Sequence, residues 1–88
     1  MAKPEFKYRI EELIQSLPKS KSTDWVAEQL EKEGIKRRTF FHHKAIKIDA
    51  DEDLSAATLL IYARFFGVTV DDLFNYNVPV KPASERKA

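Results

Sequence analysis

An all-α fold is predicted for this chain of 88 residues, and three features of the sequence predict it. Apolar residues recur at spacings of three and four through most of its length, and Ser and Thr stand where helix N-caps belong. Ile46-Lys47-Ile48 alternates as a strand would but is too short to establish one. The reading is a compact five-helix domain over 1–76 followed by a flexible C-terminal tail over 77–88. A domain of this size buries only about 60 to 65% of its unfolded surface, so the 43% of residues that are hydrophobic must supply a dense core. With no cysteine, the chain has no disulfide, no thiolate metal site and no thiol nucleophile.

Pro4 suits the first turn of helix one, where Phe6, Ile10, Leu13, Ile14 and Leu17 follow at helical spacing until Pro18 stops it. Ser22 caps helix two, which places Trp25, Val26 and Leu30 on one face and ends at Gly34, a natural left-handed residue. Helix three runs from Arg37 or Arg38 to Lys44 or Ala45 with Phe40 as its inward anchor. Ile46 to Ile48 then lead as extended chain into an acidic loop. Ser55 and Thr69 cap helices four and five, each with a hydrophobic staple, Leu54 with Leu59 and Val68 with Leu73. Leu59, Leu60, Tyr62, Ala63 and Phe66 are the core candidates of helix four, Gly67 closes it, and Asp71 and Asp72 favour the positive end of helix five.

The net charge of +1 hides a segregated pattern. Between Ile35 and Ile48 stand Lys36, Arg37, Arg38, Lys44 and Lys47 with no acid, and directly after them Asp49, Asp51, Glu52 and Asp53. Helix two is acidic, with Asp24, Glu28, Glu31 and Glu33 against Lys32. An isolated charge run is ordinarily a solvated helix face, so the weight of the basic run depends on its place in a motif.

Two blocks, Ser22 to Ala27 with Arg38 to Lys44 upstream and Leu59 to Phe74 downstream, resemble the Cro and lambda-repressor type of helix-turn-helix DNA-binding domain, a five-helix fold. Leu59, Tyr62-Ala63, Phe66-Gly67-Val68 and Asp71-Asp72-Leu73-Phe74 are similar to its closing pattern, in which an apolar-Gly-Val turn leads to a last helix beginning Asp/Glu-x-Leu-Phe. Ser22-Thr23-Asp24-Trp25-Val26-Ala27 is similar to the start of its second helix, and Arg38-Thr39-Phe40-Phe41-His42-His43-Lys44 to its recognition helix. The resemblance covers about Tyr8 to Tyr76. It departs from the usual motif in one respect: Gly34 lies seven residues after Ala27, not four. The three extra residues lengthen either helix two or the turn.

The resemblance implies a prokaryotic or phage transcriptional regulator of the repressor kind, acting on a double-stranded DNA operator as a homodimer. Helix three would enter the major groove with its N-terminal residues at the base edges. Arg37 and Arg38 are then candidates for bidentate contacts to guanine, with Phe41 and His42 also facing bases. Phe41 either packs beneath Ile46 to Ile48 or meets a thymine methyl. Lys36, Thr39, Lys44 and Lys47, with Ser22 and Thr23 at the start of helix two, are the candidates for the DNA backbone. The dimer surface is either helix five with Phe74 and Tyr76 or an arm of Val78-Pro79-Val80.

Other classes find less in the sequence. His42 and His43 are adjacent and diverge on a helix, and in the acidic loop Leu54 and Leu60 stand where a calcium-binding EF-hand needs Gly and Glu, so no metal is expected. No nucleophile, base and orienting group converge, so no catalytic residues, cofactor or small-molecule substrate are inferred. The longest uncharged stretch, Leu54 to Ala63, is far shorter than the roughly 20 residues that span a bilayer. A cytoplasmic protein with no membrane contact and no signal peptide is expected. The alternative reading is a protein-protein interaction adaptor on the same fold that never binds DNA.

Overall fold

The computed structural model describes residues 5–76 and 80–87. Among them are four α-helices and no strand: α1 (Ile10–Gln15), α2 (Thr23–Lys32), α3 (Arg37–Lys44) and α4 (Ala56–Phe66), with 3-10 turns at Asp71–Leu73 and Ala83–Glu85. The all-α expectation agrees with this, whereas the count of five helices does not.

The late start of helix one and the loss of helix five have one cause, which is tertiary pairing by the N-terminal segment. Helix one was expected from Pro4, which lies outside the described residues, but α1 begins only at Ile10. Before it, Phe6 pairs antiparallel with Lys47 and Tyr8 with Phe74. The Lys7 N–H donates to the Ile46 carbonyl at 2.9 Å, the Ile48 N–H to Glu5 at 3.0 Å and the Asn75 N–H to Lys7 at 3.0 Å. Backbone groups that a helix would have used locally are thus satisfied by distant chain. The expected fifth helix is truncated in the same way. Thr69 and Asp72 do form reciprocal caps, the Asp72 N–H donating to Thr69 Oγ1 and the Thr69 N–H to the Asp72 carboxylate. The helix nevertheless stops as a single 3-10 turn, because the Leu73 carbonyl accepts from the Arg9 N–H at 2.6 Å and Phe74 is extended.

The other caps lie where the sequence put them. Ser22 Oγ accepts from the Trp25 N–H and Ser55 Oγ from the Thr58 N–H, while Gly67 closes α4 at φ +71°. The core gathers Tyr8, Ile10 and Leu13 with Val26, Leu30, Phe40, Tyr62 and Leu73. Ala27 is fully buried, as close helix packing requires. Leu60, expected in the core, is 45% exposed and faces outward. Of the expected tail, 77–79 and 88 lie outside the described residues, and 80–87 are exposed.

Among the described residues one charged side chain is buried. Lys7 donates its ammonium to the carbonyls of Ala50 and Glu52 at 2.6 and 2.9 Å and to Asp53 Oδ1 at 3.1 Å. Burial opposes the charge, but the Asp53 hydrogen bond and charge outweigh it and hold the ammonium above its ordinary pKa. The acidic loop is therefore tied to the N-terminal segment, and Tyr8 ties it again by accepting from the Leu54 N–H at 3.0 Å.

Candidate nucleic-acid interface

Helices α2 and α3 are joined by four residues, Glu33 to Lys36. That is the length of a helix-turn-helix connection. Gly34 adopts φ +98°, a conformation that a side chain would strain, and its turn is closed by the Ile35 N–H donating to the Leu30 carbonyl at 3.0 Å. The Ile35 side chain is buried beneath the turn. The three extra residues after Ala27 are therefore absorbed as added length in α2, and the turn stays short.

Helix α3 has eight residues and buries only Phe40. Arg37, Arg38, Thr39, Phe41 and His42 are exposed, His43 and Lys44 are half-buried, and Lys36 is an exposed, extended N-cap. The expected base-contacting residues thus share one outward surface. Phe41 is 37% exposed, edge-on to Phe40, with the Arg37 guanidinium and the Lys44 ammonium 5.3 and 5.7 Å from its ring centre. Its polar flanks suit a ring kept at the surface. His43 turns the other way: its Nδ1 shares a 2.9 Å hydrogen bond with the Tyr62 hydroxyl. Burial, with the neighbouring charge of His42, lowers the His43 pKa, and burial pushes that of the Tyr62 hydroxyl up.

The cations around α3 are not all free. Arg37 is ion-paired with Asp24 in the first turn of α2. Lys44 meets Glu11 of α1 at 2.5 Å, and this hydrogen bond lowers the Glu11 pKa below its ordinary value. Lys47 meets Glu5 at 2.5 Å and lies over the Phe6 ring, and His42 Nε2 is 2.6 Å from Glu52. Lys36 and Arg38 have no side-chain hydrogen-bond or ion-pair partner among the described residues. Ser22 and Thr23 stand at the start of α2 beside Asp24, and the Ser22 oxygen is already taken up in capping. Local spacing in the sequence does not reveal these carboxylates, because they lie 10 to 42 residues from the side chains they meet.

In comparisons with family profiles, characterised proteins and solved structures, nothing matches the chain.

The ion pairs leave the electrostatics of this surface graded. At the N-terminus of α3, Lys36 and Arg38 project without a carboxylate among the described residues, while Arg37 between them is held by Asp24. Farther along, each cation has a counter-charge that an incoming phosphate would have to displace. These pairs are mostly exposed, and exposed pairs are worth only about 0.2 to 1 kcal/mol each, so displacement is affordable in DNA contact. Among the described residues no three His, Asp or Glu side chains gather as metal ligands would, and no helix is long and apolar enough to cross a membrane. Of the dimer surfaces raised from the sequence, Val78 and Pro79 lie outside the described residues. Phe74 is half-buried, 5.3 Å from the Tyr8 ring, and Tyr76 is 41% exposed.

Proposed function

We propose that this chain is a sequence-specific double-stranded DNA-binding transcriptional regulator of the repressor kind that lays α3 in the major groove. One observation carries the reading: α3 stands across a four-residue turn from α2, buries a single residue and turns Arg37, Arg38, Thr39, Phe41 and His42 to solvent. A helix that contributes so little to the core is exposed at a cost in packing, and its basic N-terminal end has the chemistry to meet phosphates and guanine edges. The resemblance to Cro and lambda-repressor domains supports the same assignment. In it, Arg37 and Arg38 read bases with Phe41 and His42 beside them, Lys36 and Thr39 hold phosphates, and Lys44 and Lys47 join after leaving Glu11 and Glu5. A single domain of this size covers about 600 to 1,000 Å² of DNA, so two copies on a two-fold operator are part of the proposal.

The ion pairs of Arg37, Lys44 and Lys47 favour a second reading, an adaptor whose charged surface is internally balanced and binds a protein. Titration of labelled mixed-sequence duplex, followed by anisotropy at several salt concentrations, separates the two. DNA binding through about four to six phosphates gives a slope of log K against log salt near −4 to −5, and replacing Arg37 and Arg38 by Ala weakens it. No binding at low salt rules out the regulator.

A further inference from the structure

The acidic loop is anchored more firmly than a solvated loop needs to be. The Lys7 ammonium has three donors, and it spends all three there, on the carbonyls of Ala50 and Glu52 and on Asp53 Oδ1. Two residues beyond Glu52, the buried Tyr8 hydroxyl takes the Leu54 N–H. The backbone around Glu52 is thus fixed by two buried side chains of the N-terminal segment. What this anchoring holds at the surface is the Glu52 carboxylate, and its Oε2 lies 2.6 Å from Nε2 of His42 on α3.

That hydrogen bond decides which ring nitrogen carries the hydrogen. An ionised carboxylate can only accept, so Nε2 must donate. Nδ1 is then the remaining polar atom of a side chain that is 58% exposed, and it has no hydrogen-bond partner among the described residues. The two nitrogens of an imidazole diverge, so a ring held by Nε2 against the loop turns Nδ1 away from it. His43 is the contrast, because its Nδ1 is already joined to the Tyr62 hydroxyl. Of two adjacent imidazoles on α3, one is closed by the core and the other is left open at Nδ1.

From this arrangement we infer that Glu52 is a positioning residue that makes His42 a base reader whose preference changes with pH. The inference rests on the DNA-binding reading above. With Nε2–H committed to Glu52, the neutral ring offers only an acceptor at Nδ1, and the donors in the major groove are the amino groups of adenine and cytosine. The protonated ring offers Nδ1–H instead, which suits guanine, whose O6 and N7 both accept. Imidazole is the side chain that ordinarily makes this change between about pH 5 and 8. Without Glu52 the neutral ring could carry its hydrogen on either nitrogen and meet either kind of base. The titratable and charged groups beside the ring are Glu52 from the loop and, on α3 itself, His43, with ring centres 6.2 Å apart, and Arg38 one turn earlier.

Selection of binding sites from random duplex by the full chain, at about pH 5.5 and about pH 8, tests it, with circular dichroism to verify folding at both. One position of each half-site should change from guanine in acid to adenine or cytosine in alkali, each preferred by about two- to tenfold, the worth of one hydrogen bond. His42→Ala still binds but loses the change. Glu52→Ala blurs the preference at about pH 8, and has no effect on it once His42 is Ala. In the free protein, long-range proton–nitrogen spectra of the ring at the same pH should show the hydrogen on Nε2, and a mixture of both forms in Glu52→Ala. Absence of DNA binding at either pH refutes the regulator itself and this inference with it. Binding whose sequence preference ignores pH, a change that survives His42→Ala, or a ring whose hydrogen sits on Nδ1 overturns this inference alone.

Discussion

Asp24→Asn is the substitution that tests whether Arg37 is available to DNA. It keeps the size of the side chain and removes the charge that holds the guanidinium against α2. The two side chains are 52% and 77% exposed, so the pair belongs to the weak class worth about 0.2 to 1 kcal/mol. If Arg37 leaves Asp24 to contact DNA, that energy is subtracted from binding in the unsubstituted protein and is returned by Asp24→Asn. The variant then binds DNA about 1.4- to 5-fold more tightly, because 1.4 kcal/mol corresponds to a tenfold change. Loss of the carboxylate's repulsion of nearby phosphates acts in the same direction and fades beyond about 8 Å at physiological salt. The slope of log K against log salt should not change, since it counts phosphates neutralised and these stay the same. Anisotropy titrations of both proteins on one duplex, with circular dichroism to verify folding, give both quantities. A variant that folds normally and binds DNA no better, or worse, refutes the competition between Asp24 and phosphate.

Three further outcomes follow from the packing and the charges. Phe40→Ala removes the one buried residue of α3 and should destabilise the fold by about 3 to 5 kcal/mol, a large share of the roughly 4 to 13 kcal/mol expected for a domain of this length; a urea midpoint that hardly moves would show that α3 is anchored elsewhere. Acid should destabilise the protein in two stages. His43, whose pKa is lowered by burial and by the neighbouring charge of His42 against the opposing pull of Glu52, contributes stability that is present above its unfolded pKa of 6.5 and is lost as pH falls through its lowered folded value. Glu11, lowered by Lys44, does the same from 4.5 downward. Thermal melts across this range check both, and His43→Phe should flatten the upper stage. Lys7→Met keeps the buried stem but removes the ammonium that holds the Ala50 and Glu52 carbonyls, so amide hydrogen exchange at Ala50 and Leu54 should accelerate while that of Val26 and Leu30 does not; uniform acceleration would mean that Lys7 supports the whole core.

Much of this was legible in the sequence because it depends on neighbours in the chain. The Ser22 and Ser55 caps, the Gly67 stop and the inward Phe40 each follow from residues within a turn or two. What escaped depends on pairing across the fold. Phe6, Tyr8 and Ile10 alternate with Lys7 and Arg9, a strand-like period that loses to the helical spacing read from Phe6 to Ile10. The bridges show that the shorter period governs this segment. Leu60 reads as a core residue because α4 is apolar over most of its circumference, and periodicity cannot choose between two apolar faces. At the candidate site, the exposed basic surface of α3 was foreseeable from composition, but its counter-charges were not. Nothing in the spacing of Glu5, Glu11, Asp24 and Glu52 marks them as partners of Lys47, Lys44, Arg37 and His42.

The N-terminal segment also sets an order of events in folding. The turn joining α2 to α3 closes a loop of a few residues, whereas the Asn75 side-chain amide reaches the Phe6 carbonyl across 69 positions. Bringing so distant a pair together costs about 4 kcal/mol of chain entropy beyond the constant term, and little of that is recovered until the core between them has collapsed. The α2–α3 hairpin should therefore be an early structure and the docking of residues 5–9 a late one. On unfolding the sequence runs backwards, and the acidic loop that Lys7 secures is freed as soon as this latch opens.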